Sequence, residues 1–218
     1  MAIDAETRND WTALDLFRRF GPIPIWRIRR DPAPGTATEQ NLITIHDHED
    51  GLYELVDGVL VKKTGGLYES HLAGLIGTFL SNFVRPLRSG VVVGADGPYR
   101  LNPGLIRIPD ASFLSRERIP GHRMPQEKVC PAIPNLAVEV LSESNTKKEM
   151  AAKLADYFAC GVELVWYVDP QKKTVRAYTA PDRSRLVRES GTLDGGTVLP
   201  GFALALRDLF ADPIGPMA

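Results

Sequence analysis

One acidic residue, Glu139, lies inside the apolar run Pro134-Asn135-Leu136-Ala137-Val138-Glu139-Val140-Leu141-Ser142. A run this apolar reads as a buried strand, where a carboxylate is costly unless a cation, a metal or a proton answers it. Two further acids have strand-like surroundings: Glu54 in Tyr53-Glu54-Leu55-Val56, and Asp110 in Arg107-Ile108-Pro109-Asp110-Ala111. Lys153 follows on the next helical segment. Acids and a lysine brought together suit phosphodiester hydrolysis. That reaction needs a hard cation to neutralise charge on the phosphate and to lower the pKa of an attacking water. Mg²⁺ is held by one or two carboxylates together with waters and phosphate oxygens. A lysine beside it can orient the water and stabilise the transition state. Taken singly, each acid also reads as a salt-bridged hairpin or surface carboxylate.

The elements that must position these groups follow from periodicity. Alternation along Leu136 to Leu141 puts Leu136, Val138 and Val140 on one face, and Ala137, Glu139 and Leu141 on the other. The helix expected from Lys147 to Cys160 opens on a capping box, Thr146 with Glu149, and closes near Gly161. Met150, Leu154, Tyr157 and Phe158 form its apolar stripe. Lys153 falls about 85° from the stripe centre. There it can lay its stem on the core and reach a carboxylate on the neighbouring strand, or snorkel to water. Upstream, Leu52 to Val56 and Val59 to Lys62 flank Asp57-Gly58, a strong hairpin signal. Leu72 to Val84 predicts a long helix ending before Pro86. Val91 to Val93, Leu105 to Leu114 and Leu164 to Val168 predict strands, and Arg116 to Pro134 a loop. The order hairpin, helix, strands, helix, strands predicts an α/β fold with a mixed sheet and helices packed on it.

Residues 1–50 read as an N-terminal helical appendage, with helices over Trp11 to Phe20 and over Glu39 to Asp47, the latter capped by Thr38. The main domain is expected over 51–212. The chain has 218 residues, 44% of them hydrophobic, enough for a sizeable core. Its net charge of −1 carries no global signal for nucleic-acid binding, so any polyanion site must be local. No apolar stretch reaches the ~18 residues of a membrane span. Met1-Ala2-Ile3-Asp4-Ala5-Glu6 lacks the pattern of a signal peptide, and Cys130 and Cys160 form neither a disulfide framework nor a zinc cluster. A cytoplasmic protein is expected.

Tyr53-Glu54-Leu55-Val56-Asp57-Gly58, His71, Arg107-Ile108-Pro109-Asp110 and Val138-Glu139-Val140-Leu141-Ser142 form an ordered series. It continues with Lys153, Tyr157, Gly161-Val162 and Trp166-Tyr167-Val168-Asp169-Pro170. From about Leu52 to Phe210 this resembles the Uma-two (Uma2, DUF820) family of restriction-endonuclease-like proteins, a branch of the PD-(D/E)XK nuclease superfamily. The resemblance implies a mixed central sheet flanked by helices and a Mg²⁺- or Mn²⁺-dependent endonuclease acting on DNA. It implies Asp110, Glu139 and the Val140 carbonyl as metal ligands, and Glu54, the upstream acid, as a further ligand, with Lys153 assisting catalysis. The superfamily's Glu-x-Lys position is Leu141 here, and the resemblance implies that Lys153 replaces the missing lysine. A homodimer is a reasonable expectation, since cutting both strands of a duplex commonly uses two sites.

Other residues have simpler readings. His71 suits packing or capping at the start of the long helix. Lys147, Lys148, Arg116, Arg118, His122 and Arg123 could touch a phosphate backbone, or be solvated surface charge. Trp166 and Tyr167 read as core. A competing function is a nuclease-fold module of weak or no activity that binds nucleic acid or protein, as Leu141 in place of lysine would suit. A third is a structural module whose acids form salt bridges.

Overall fold

A computed structural model describes residues 11–212 and 214–215; residues 1–6, read above for targeting, lie outside them. The chain starts with α1 (Ala13–Phe20) and α2 (Glu39–His48), both opening on capping boxes, at Thr12/Asp15 and Thr38/Asn41. Strands β1 (Tyr53–Val56) and β2 (Val59–Lys62) form the expected hairpin. Asp57 and Gly58 take φ of 51° and 76°, the left-handed pair that a tight hairpin turn requires. A Cβ at Gly58 would lie 2.4 Å from the Gly35 carbonyl oxygen, so glycine is needed on both counts.

Helix α3 (Leu67–Leu87) is followed by β3 (Gly90–Val93), β4 (Tyr99–Asn102), β5 (Leu105–Arg107) and β6 (Ala111–Ser115). Three details differ from the sequence reading. The long helix runs through Pro86 rather than stopping before it, because a proline in the last turn breaks little of the ladder. Strand β4 lies between Asp96-Gly97-Pro98 and Pro103-Gly104, turn residues that obscure its short alternation of Tyr99 and Leu101 inward. The expected continuous run from Leu105 to Leu114 breaks around Pro109, which cannot donate to a ladder. There the chain leaves one sheet and enters another.

The first sheet has the order β2-β1-β5-β4. The second, six-stranded, has the order β10-β9-β8-β7-β6-β3, with β7 (Leu136–Val140), β8 (Leu164–Asp169), β9 (Thr174–Ala180) and β10 (Arg183–Arg188). Within it β7 and β8 are parallel and the other pairings antiparallel. The parallel crossover is made by α4 (Lys147–Ala159). On one face Leu136, Val138 and Val140 pack with Leu72, Ile76 and Leu80 of α3. That core continues into the hairpin β11 (Thr192–Gly195) and β12 (Leu199–Ala205), and into α5 (Leu206–Leu209). On the other face Ala137, Val165 and Tyr167 pack with Met150, Leu154 and Tyr157 of α4. The result is a mixed sheet with helices on both faces. Among the described residues no helix is long and apolar enough to cross a membrane.

The segment before residue 51 covers the first sheet. Leu42 and Ile45 of α2 pack on Leu55, Leu60 and Ile106. Leu16 and Phe20 of α1 pack on Val56, Val59 and Val61. A bidentate ion pair secures it to α4: Arg27 donates to both oxygens of Glu149 at 2.9 and 2.6 Å, and both side chains are buried. The same guanidinium donates to the carbonyls of Lys62 and Ser144. One buried cation thus joins the N-terminal segment, the end of β2 and the start of α4. Arg27→Met leaves Glu149 buried without its partner and should lower unfolding free energy by about 3–5 kcal/mol in a urea titration. A loss below about 1 kcal/mol would show that this segment is not held through that pair.

Candidate active site

Pairing register brings the acids together from different strands. Leu55 pairs with Ile106 in antiparallel β1 and β5, which sets Glu54 opposite Arg107. Ala111 pairs with Val138 in antiparallel β6 and β7, and the same register continued sets Asp110 beside Glu139. Asp110 is fixed there by its own N–H, which donates to the Val138 carbonyl at 2.8 Å, and by its carboxylate, which accepts the Val140 N–H at 2.7 Å.

Glu139 projects onto the face covered by α4, where Lys153 lies one turn before Tyr157. The Lys153 ammonium is 2.7 Å from Glu139 Oε2 and 2.9 Å from Glu54 Oε1. The Tyr157 hydroxyl donates to Glu139 Oε1. Glu54 also accepts from Arg107 at 2.7 Å and from the Ile108 N–H at 2.9 Å. Arg107 reaches on to Asp156, which Arg19 of α1 contacts from its other side while also meeting Asp57. The chain of charges therefore runs from the N-terminal helix to the centre of the sheet.

The structure places each predicted site residue. Glu54, Glu139 and Lys153 form one buried triad, and Asp110 lies across the strand pair from Glu139. Glu54, however, has both oxygens engaged by Lys153, Arg107 and Ile108. Among the described residues no three His, Cys, Asp or Glu side chains come together as a metal-holding group. The expectation that Glu54, Asp110 and Glu139 share one ion is thus not met as a three-acid set: Lys153 stands between Glu54 and Glu139. Lys153 itself turns inward rather than snorkelling. One participant was missed: Lys63, just past β2, lies 2.7 Å from Asp110 Oδ1 and donates to the Ile108 and Ala95 carbonyls at 2.7 and 3.2 Å. Its neighbour Lys62 masked it, since two adjacent lysines after a hairpin strand look like ordinary surface charge.

Several secondary candidates resolve structurally. Trp166 is fully buried and Tyr167 donates its hydroxyl to the Met150 carbonyl, so both belong to the core. Arg118 is occupied by Glu163 and by the carbonyls of Ile133, Pro134 and Gly161. His71 stacks on Tyr68 in the first turns of α3.

The electrostatics separate the two buried glutamates. Burial alone would raise Glu54, but Lys153 and Arg107 outweigh it and hold its pKa down at about 2. Burial raises Glu139 to about 7, with Asp110 and Glu54 adding to the rise against the pull of Lys153. Burial would lower Lys153, yet Glu139 and Glu54 raise it above an ordinary lysine. Tyr157 is pushed well up by burial and by the neighbouring carboxylates. In this network Arg19, Arg107, Lys153 and Lys63 face Asp57, Asp156, Glu54, Glu139 and Asp110, four cations against five carboxylates. Glu139 is the carboxyl of this network whose charged form burial disfavours most, and a proton or a further cation can answer it.

The donors around that position are all oxygens: the carboxylates of Asp110 and Glu139, and the Val140 carbonyl on the same strand. Two carboxylates and a carbonyl are the hard oxygen donors that Mg²⁺ or Mn²⁺ takes. Asp110 and Val140 also line an open cleft of about 240 Å³, walled further by Lys63, Thr64, Glu69 and Ser70. The donor types therefore suit a divalent cation, which would share Asp110 with Lys63 and the Val140 N–H, and Glu139 with Lys153 and Tyr157.

The raised pKa of Glu139 has a sign that can be checked. An unfolded glutamate releases its proton near pH 4.5, whereas the folded one keeps it to about 7. The folded state therefore binds more protons between those values, and Glu139 makes the protein less stable as pH climbs through that window. In metal-free buffer, Glu139→Gln should remove this decline, so the stability of the variant relative to the parent rises from pH 5 to pH 8. Parallel stability profiles would show that Glu139 titrates normally.

No curated protein matches the chain. Its fold is similar to the crystal structure of a putative nuclease belonging to DUF820 from Anabaena variabilis ATCC 29413. That match has a TM-score of 0.63 and 17% identity, and covers 73% of this chain and 90% of the other. The family model Uma2, described as putative restriction endonuclease, matches residues 39–207. That span takes in both sheets, α3, α4 and every residue of the triad, and the chain belongs to the Uma2 family.

Proposed function

We propose that this protein is a divalent-metal-dependent endonuclease that hydrolyses DNA phosphodiester bonds. The observation that carries this reading is the placement of Asp110 and Glu139 side by side, with the Glu139 pKa raised by burial and an open cleft at Asp110. Family membership and the nuclease-like fold support it.

Asp110, Glu139 and the Val140 carbonyl would hold Mg²⁺ or Mn²⁺. When bound, such an ion neutralises developing phosphate charge and lowers the pKa of an attacking water. The side chains of this chain prepare the place. The Val140 N–H and Lys63 fix the two Asp110 oxygens before substrate arrives. Tyr157 and Lys153 fix the two Glu139 oxygens. Glu54 acts one step back: with its pKa near 2 it stays ionised and anchors Lys153 against Glu139. Leu141, at the position where the superfamily signature carries lysine, does no acid–base work, and Lys153 brings an ammonium to Glu139 from α4.

The cytoplasm is the compartment we propose, in keeping with Cys130 and Cys160, both free thiols. The site is reached from the cleft side, where Asp110 keeps 18% of its side chain exposed against 7% for Glu139.

In a plasmid-nicking assay, the parent should cut supercoiled DNA with Mg²⁺ or Mn²⁺ and remain inactive in EDTA. Asp110→Ala should lose at least ~10²-fold in rate, the scale of a lost transition-state electrostatic contact. Activity that survives EDTA or the substitution would contradict the reading. Lys153→Met should lose comparable activity and also stability, by about 3–5 kcal/mol at pH 8, because two buried carboxylates lose their shared cation. The stability loss should shrink at pH 5, where Glu139 is protonated.

A further inference from the structure

We propose that Lys63 is the cation that meets the substrate phosphate, while Lys153 stays inside the fold as a positioning residue. This assignment rests on the nuclease reading above and goes beyond it in dividing the work of one lysine between two.

Two ammonium groups lie at the acids, and their surroundings differ. Lys153 is gripped by Glu54 and Glu139 with 7% of its side chain exposed, and its neighbours on α4 close over it. A phosphate oxygen could reach it only by separating a buried ion triad, at a cost of several kcal/mol. Lys63 has about twice that exposure, 15%, and lines the same open cleft as Asp110 and Val140. Its three donors are unevenly held. The contacts to Asp110 Oδ1 and the Ile108 carbonyl are 2.7 Å each, whereas that to the Ala95 carbonyl is 3.2 Å. Ala95 itself lies on the cleft wall, so an incoming phosphate oxygen can replace its carbonyl without disturbing the pair with Asp110.

The exchange is favourable in kind. An ammonium–carbonyl contact becomes an ammonium–phosphate contact, which is charge-assisted on both sides. Lys63 would then touch both Asp110 and the phosphate, setting the distance between them. Its position at the end of β2 is fixed by the backbone, since its N–H donates to the Leu52 carbonyl and the preceding Lys62 carbonyl accepts from buried Arg27. The Glu69 carboxylate on the cleft wall is held by the Gly66 N–H at 2.9 Å, which keeps it at the start of α3.

The test is equilibrium binding of a hydrolysis-resistant phosphorothioate duplex across a salt titration, in which each lysine–phosphate contact contributes about 0.9 to the slope of log K against log salt. Lys63→Met should lower the slope by about 1, and Lys63→Arg should restore it. Lys63→Gln keeps a donor for the Ile108 carbonyl without charge, and should lower the slope as Lys63→Met does. Lys153→Met should leave the slope at the parent value. A Lys63→Gln slope equal to the parent's overturns the assignment, whatever happens to cleavage. If the Lys63→Gln slope is unchanged while the parent nicks plasmid and Asp110→Ala does not, the Lys63 role alone is overturned. If the parent neither binds nor cuts DNA, the nuclease reading falls and this assignment falls with it.

Discussion

The structure depends on one buried contact, the Lys153 ammonium held between Glu54 and Glu139. Placing an ion in an apolar interior costs several kcal/mol, and only close partners and full hydrogen bonding offset it. Much of the architecture serves that requirement. β1 and β5 pair so that Arg107 neutralises Glu54 from the far side. Helix α4 is capped at Thr146 and anchored by Arg27–Glu149, which fixes where Lys153 emerges. Tyr157, one turn further, uses its hydroxyl to complete Glu139. Removing any one of these leaves a charge in the core without its answer.

The same network explains why two glutamates a single ammonium apart behave oppositely. Glu54 has two cations and a backbone N–H, and stays ionised to about pH 2. Glu139 shares one cation and has two anions nearby, and holds its proton to about pH 7. A carboxylate that is underpaired by design of its surroundings, next to Asp110 at the edge of a cleft, is the kind of perturbed group that marks functional sites. Glu139 is therefore the carboxyl of this network whose ionised form the fold supports least.

The strand faces of the six-stranded sheet were legible because alternation around Glu139 is clean. The caps at Thr12, Thr38 and Thr146 have short-range signals, and those at Thr38 and Thr146 were read from the sequence. The break at Pro109 was harder to see, since Ile106, Ile108 and Ala111 continue the apolar pattern while the chain changes sheets. At the site, Glu139 announced itself as a charge in an apolar run, and Lys153 as a charge at the edge of a stripe. Lys63 gave no such sign. Its contacts with the Ala95 and Ile108 carbonyls and with Asp110 are long-range, and no local pattern encodes them. Glu54 looked like a third ligand because sequence shows which acids are present and not what engages them. The partner that occupies it, Arg107, comes from a different strand.

The most direct test of the account is a crystal structure of the protein soaked in Mn²⁺, with the ion located by its anomalous scattering. One ion per chain is expected to touch Asp110 and Glu139, with Glu54 still bound to Lys153 and Arg107. An ion seated on Glu54, or full occupancy elsewhere with the Asp110–Glu139 position empty, would contradict it.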